Sequence, residues 1–195
     1  MSIATPLKMF LEERTMNNFI VVYYSRTGNN KYIAEKIAQQ LGCDIEELIP
    51  RNKAYFSVLL SSLTKMSFGN RKMASDLEKY EKVIVCCPIW MGHVIAPMRS
   101  FIKQNRGKIK RLTYVTCCGS DEESKNGKFG YEVVFGKIKE MIGDAFENGF
   151  AIPIGLTVEK ERRKATNSMD LRLTDATFMG EIKDRFDDIT REIRE

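Results

Sequence analysis

Residues 18–24, Asn-Phe-Ile-Val-Val-Tyr-Tyr, form an unbroken β-branched and aromatic run, and the polar cluster Ser25, Arg26, Thr27, Gly28, Asn29, Asn30 follows it directly. A run with no polar alternation fits a strand buried on both faces, and the cluster after it fits a turn. Ile33, Ala34, Ile37, Ala38 and Leu41 then recur at three and four residues, and Gly42 stands where a helix would end. The unit is strand, turn, helix.

The same alternation continues along the chain. Apolar runs predict strands near 44–49, 82–87, 111–117 and 150–157, and helical spacing predicts helices near 53–66, 94–105, 131–147 and 174–194. That makes five strands and five helices. The last helix is the clearest, because Phe178, Ile182, Phe186, Ile189 and Ile193 make one apolar stripe with charges between them. Strands alternating with helices imply an α/β three-layer sandwich, a parallel sheet covered on both faces through right-handed crossovers. In such open sheets ligands bind beyond the carboxyl ends of the strands, where the strand order reverses. The loops to watch are therefore 25–30, 88–97 and 117–130. The polar connection 158–173 fits no pattern and is open to a role as substrate lid or dimer contact.

Composition sets the outer bounds. A chain of 195 residues that is 43% apolar suits one domain with one sizeable core and is too apolar for a disordered chain. Residues 18–195 form that domain. Met16 lies two residues before the first strand pattern, so residues 1–17 are set apart as an N-terminal extension. The net charge of +5 is too mild to point to nucleic acid, which is not expected as a partner. The longest apolar runs, 19–24 and 83–91, fall well short of the ~18 residues of a spanning helix. A membrane-embedded protein is not expected, and the lack of an apolar leader near the start makes a cytoplasmic location the expectation. Five cysteines, four of them in the vicinal pairs Cys86-Cys87 and Cys117-Cys118, do not match metal or redox spacings and read as thiols filling the sheet. A redox pairing of one cysteine from each pair, across adjacent strands, is the alternative. His93 is the single histidine, which excludes a multi-histidine metal site.

The loop 25–30 lies between a buried strand and a helix start, so free backbone N–H groups and the positive helix end converge there. That spot suits an anion. The hydroxyls of Ser25 and Thr27 and the amides of Asn29 and Asn30 add donors, and Gly28 lets a ligand approach the backbone. The bland alternative is an ordinary turn capped by Thr27 or Asn29. Neither a P-loop nor a dinucleotide glycine pattern is present, which argues against nucleoside triphosphates and against NAD bound in the Rossmann manner.

With these residues the sequence resembles the flavodoxin family. Val21, Val22, Tyr23, Ser25, Gly28, Ala34 and Ile37 all fit its first-loop pattern. Asn30 departs from it, replacing a final Thr by an amide that can still donate to phosphate. The resemblance implies the flavodoxin-like strand order 2-1-3-4-5 and FMN as cofactor. It also implies that Pro88, Ile89, Trp90, Met91, Gly92 and His93 form the second flavin loop, with Pro97 and Phe101 beyond it. Trp90 or Met91 would then cover one face of the ring, Gly92 would offer a peptide carbonyl to N5 of the reduced flavin, and His93 would sit near that edge. By position, Thr116, Cys117, Cys118 and Gly119 take the place of the third loop, where main-chain N–H groups meet the pyrimidine edge. Phe129 and Tyr131 are candidates for the outer ring face.

The resemblance implies electron transfer with a redox partner protein. Shuttle flavodoxins are typically acidic, whereas here Arg99, Lys103, Arg106, Lys108, Lys110 and Arg111 occur without an intervening acid. Such a run is a solvated face, or a contact for an acidic partner, for an anionic substrate or, peripherally, for an anionic membrane surface. Two alternatives share these residues. One is an enzyme with a quinone-type acceptor, either an NAD(P)H-dependent quinone reductase or a quinone-linked protoporphyrinogen dehydrogenase, which the chain also resembles around Gly92, His93 and the basic helix beyond. The other is a flavin-free binding module on the same fold.

Overall fold

The β-branched run after Asn18 folds as a strand that is covered on both sides, and the rest of the chain is built outward from it. A computed structural model describes residues 18–52, 64, 69–119 and 129–195. Its strands, in chain order, are β1 (Phe19–Tyr23), β2 (Asp44–Glu47), β3 (Lys82–Cys86), β4 (Ile89–Trp90), β5 (His93–Val94), β6 (Leu112–Cys118) and β7 (Phe146–Pro153). The α-helices are α1 (Asn29–Leu41), α2 (Ala96–Asn105), α3 (Tyr131–Ile142) and α4 (Glu181–Arg194). The helix predicted over 53–66 lies, apart from Thr64, outside the described residues.

The main sheet runs β2-β1-β3-β6-β7 and every neighbouring pair in it is parallel. Counted over its own five strands the order is 2-1-3-4-5, as expected. Successive side chains of β1 point to opposite faces. Ile20 and Val22 enter the core shared with α2 and α3, while Val21 and Tyr23 enter the core shared with α1 and α4. Both cores exclude water, which is why the strand needs apolar residues at every position. On α4, Ile182, Phe186, Ile189 and Ile193 are at most 1% exposed, and each fully buried side chain of this size contributes about 1.5–3 kcal/mol.

Three of the boundaries that differ from the sequence expectation have a local cause. β7 starts at Phe146 rather than near 150, because Phe146–Gly149 belongs to an edge strand whose residues are only partly covered and so carry no continuous apolar signal. α4 starts at Glu181 rather than near 174, because Gly180 takes φ 59° and breaks the chain direction. Phe178 still packs on Phe186 and Tyr32, extending the stripe from outside the helix. α3 ends at Ile142, where Gly143 with φ 72° closes it and a single 3-10 turn leads on.

At the amino-terminal end of the sheet Glu147 gathers three donors. It accepts from Lys82 Nζ at 3.0 Å and from Thr113 Oγ1 at 3.1 Å, and it pairs with Arg111. Lys82 Nζ also donates to the carbonyl of Ile193 at 2.7 Å, which ties the end of α4 to the start of β3. The basic run 99–111 is partly paired as well, with Lys108 to Glu78 at 3.5 Å and Lys110 to Glu81 at 3.9 Å. These contacts lie at the opposite end of the sheet from the loops that succeed β1, β3 and β6.

Candidate cofactor cleft

Beyond the carboxyl end of β1 the chain turns through Gly28 into α1. Gly28 has φ 93°, and its Cα faces open space, so the left-handed backbone rather than close packing demands glycine here. Its N–H donates to Ser25 Oγ at 3.2 Å, and its carbonyl accepts from Tyr32 N–H at 2.8 Å. The N–H groups of Asn29, Asn30 and Lys31 therefore open α1 without carbonyl partners inside the helix, and no side chain of the capping residue takes their place. The side chains of Asn29 and Asn30, expected to serve the anion, are engaged elsewhere. Asn30 exchanges two hydrogen bonds with the main chain of Cys117, and Asn29 exchanges two with Leu171 and Leu173. Each keeps a second N–H on Nδ2.

β3 leaves the sheet at Cys87 and Pro88, and the buried hydroxyl of Tyr114 donates toward both of their carbonyls, at 3.1 and 3.4 Å. The chain then forms a short hairpin where the sequence predicts only loop. β4 and β5 pair antiparallel through Ile89↔Val94 and Trp90↔His93. Met91 has φ 50° and Gly92 φ 70°, the two positive values that a two-residue type I′ turn requires. Two cations brace it from below. Lys137 Nζ donates to the Gly92 carbonyl at 2.7 Å, and Arg99 Nη1 donates to the Val94 carbonyl at 2.5 Å. Trp90 packs its inner side against the core, while Met91 is 55% exposed.

Between these two loops and the end of β6 lies a cleft of about 460 Å³, a volume suited to a small molecule or cofactor. Arg26, Thr27, Asn29 and Asn30 line it from the first loop, and residues 88–92 from the second. Cys117, Cys118 and Gly119 line it from β6, with Phe129, Gly130 and Ile154 beside them. The connection 158–173, which fits no sequence pattern, supplies a further wall through Ser168, Met169 and Arg172. It is docked tightly, since a Cβ on Gly119 would stand 2.7 Å from Ser168 Oγ. Among the described residues, two arginines and no carboxylate line the cleft.

This arrangement, a five-stranded parallel sheet of order 2-1-3-4-5 with a cleft over the reversal of strand order, has counterparts among solved structures. A flavoprotein in complex with FMN from Lactobacillus acidophilus NCFM matches with a TM-score of 0.56 at 15% identity, over 69% of this chain and 92% of its own. A protein from Bacteroides eggerthii DSM 20697 assigned to the flavoproteins matches with a TM-score of 0.57 at 19% identity, over 76% of this chain and 94% of its own. The fold is flavodoxin-like. No protein-family model matches the chain, and no curated protein matches it in sequence.

In this flavodoxin-like frame the reversal of strand order falls between β1 and β3, which are the strands that carry the first two loops. Of the residues expected in the three loops, four stand outside the cleft lining. Ser25 and Gly28 shape the first loop from behind, and His93 lies on the returning strand of the hairpin. Thr116 is fully buried within β6, with no partner for Oγ1 among the described residues. Tyr131 packs on Phe135 with ring centroids 5.8 Å apart, whereas Phe129 reaches the cleft and is 47% exposed.

The sheet cysteines are buried free thiols. The register sets Cys86 opposite Val115 rather than opposite another cysteine. Burial pushes the Cys87 thiol up to about 12 and raises Cys86 and Cys117 as well, so these groups stay protonated and unreactive.

Proposed function

We propose that this chain binds FMN in the cleft and acts in electron transfer. The observation that carries the reading is the convergence of an anion-suited helix start and an aromatic and thioether wall on one cavity of about 460 Å³. A phosphate ester suits the N–H groups that open α1, since a helix amino terminus attracts negative charge. A flat tricyclic ring suits Trp90 and Met91, which offer a π face and a polarizable sulfur. The main-chain groups of Cys118 and Gly119 suit the polar edge of such a ring. The residues therefore fit the group.

When bound, FMN supplies the redox chemistry, taking up and releasing one or two electrons. The protein's own part is to hold and orient the ring and to limit water at its inner face. At the mouth, Met91, Phe129 and Met169 are 55%, 47% and 60% exposed and make up three of the five large apolar side chains left open to solvent among the described residues. An exposed apolar rim beside a ring edge is a contact surface for a redox partner protein or for a quinone-type acceptor.

The test is an absorbance spectrum of the purified protein and a titration of the stripped protein with FMN, followed by flavin fluorescence. Flavin bands and saturable one-to-one binding are expected. A colourless protein that does not bind added FMN leaves the flavin-free binding module as the function of this fold. Oxidation of NAD(P)H with a soluble quinone then separates an enzyme from a carrier.

A further inference from the structure

We infer that Arg172, carried by the connection after β7, is the residue that makes the cleft specific for a phosphorylated flavin over the unphosphorylated one. The inference rests on the FMN reading and deepens it. Asn29 is the first residue of α1, and its side chain donates to the carbonyl of Leu171 at 3.1 Å and accepts from the N–H of Leu173 at 2.9 Å. Residue 172 is thereby pinned on both sides to the turn that opens the helix. The guanidinium is fixed as well, because Nη1 donates to the carbonyls of Met169 at 2.7 Å and Leu171 at 2.8 Å. A guanidinium has five N–H donors, so most of them remain for a ligand in the cleft that Arg172 lines.

The charges involved explain why such a residue is needed. A helix amino terminus presents about half a positive charge, whereas a phosphate monoester carries about −1.5 to −2 at neutral pH. The helix start alone leaves most of that charge unbalanced. Arg172 supplies a full positive charge to the same cleft from between the two residues that Asn29 holds, and Arg26 lines it from the first loop. Arg163, another cation of the connection, is engaged elsewhere, its Nη2 pairing with Glu181 at 2.6 Å. Among the described residues no carboxylate pairs with Arg172. Its charge is anchored in place, and it faces a cleft without acids among those residues.

The experiment compares FMN with riboflavin, which differ by the phosphate alone, in equilibrium titrations followed by flavin fluorescence. The proteins are the full chain and its Arg172→Met and Arg172→Lys variants, with circular dichroism confirming that each is folded. In Arg172→Met, FMN affinity is expected to fall by about ten- to a hundredfold, the range of a lost charge-assisted pair, while riboflavin affinity stays within about twofold. Arg172→Lys, which keeps the charge but not the forked anchor, is expected to fall between the two. The FMN affinity of the unaltered chain is also expected to weaken with added salt more steeply than that of Arg172→Met.

Equal loss of both flavins in Arg172→Met overturns the inference by making Arg172 a general wall residue. An unchanged preference for FMN overturns it too. If the unaltered chain binds neither flavin, the FMN reading itself fails, a result visible before any variant is made. Should Arg172→Met not fold, Arg172→Lys and the salt series carry the decision, and a salt-independent preference for FMN overturns the inference.

Discussion

The side chain of Asn30 serves as a strand partner for Cys117: Nδ2 donates to the Cys117 carbonyl at 3.0 Å and Oδ1 accepts the Cys117 N–H at 2.9 Å. The need for it arises from the register. β3 pairs with β6 as far as Cys86↔Val115, so continuing the ladder would set Pro88 opposite Cys117, and proline has no N–H to offer. An amide carries its donor and its acceptor on two separate atoms and so spans both main-chain groups, whereas a threonine would have to serve both through one shorter-reaching oxygen; the departure from the flavodoxin first-loop pattern at this position has that use. Asn30→Ala leaves a buried N–H and a buried carbonyl unpaired, so a loss of about 2–4 kcal/mol in urea unfolding is expected. Asn30→Thr should recover less than half of it. A variant as stable as the parent would mean that the bridge to Cys117 contributes nothing net.

Trp90 stands at the opposite wall of the cleft, half in the core and half facing the cavity. Replacing it by alanine removes the largest flat surface available to a bound ring. FMN affinity is expected to fall by about tenfold or more, or the midpoint potential to shift, since aromatic contacts are worth about 0.5–1.5 kcal/mol beyond their buried area. Fluorescence titration and a potentiometric titration measure the two effects. Unchanged affinity together with an unchanged potential would remove Trp90 from the site.

At the other end of the sheet, Glu147 balances two cations, one of them the 2% exposed Lys82. Glu147→Gln keeps the shape and removes the charge, leaving Lys82 desolvated without its counter-ion. Breaking a buried pair in this way costs about 3–5 kcal/mol, and the lower end applies because Glu147 is 24% exposed. Thermal unfolding of Glu147→Gln and of the double variant Glu147→Gln, Lys82→Met checks this. The double variant, with no buried charge left unpaired, is expected to be more stable than Glu147→Gln alone. FMN binding should be unchanged in both, because the cluster lies beyond the far end of the strands.

The residues legible in the sequence are those whose signal is local. β1, β3 and β6 are apolar at consecutive positions because water is excluded from both faces, and the loop after β1 carries its own glycine and hydroxyls. The hairpin escapes because two residues on each side are too few for any periodic signal, although Met91-Gly92 between Trp90 and His93 has the length of a two-residue turn. The start of β7 is hidden because an edge strand keeps water on part of its surface and so carries no continuous apolar run there. The wall made by Ser168, Met169 and Arg172 is invisible for a different reason. It is positioned by Asn29, some 140 residues earlier in the chain, through bonds with separations of 142 and 144. No local pattern encodes that contact, and a polar connection without periodicity reads as an ordinary loop.

Met91 carries the remaining prediction. Its φ of 50° is the one positive value of a non-glycine among the described residues, and its side chain is 55% exposed. An ordinary side chain in the left-handed region costs about 1–2 kcal/mol, while asparagine tolerates it better and is the preferred first residue of a type I′ turn before glycine. Methionine here therefore works against local stability, which is a reason to look for its use in the cleft it lines. Met91→Asn is expected to raise the unfolding free energy by about 0.5–1 kcal/mol and to weaken FMN binding severalfold through loss of the sulfur contact. Denaturant unfolding of the stripped protein reads the first effect and FMN titration the second. If stability rises and FMN binds as before, the strain at Met91 serves something other than the flavin, and the exposed rim it shares with Phe129 and Met169 is the place to seek it.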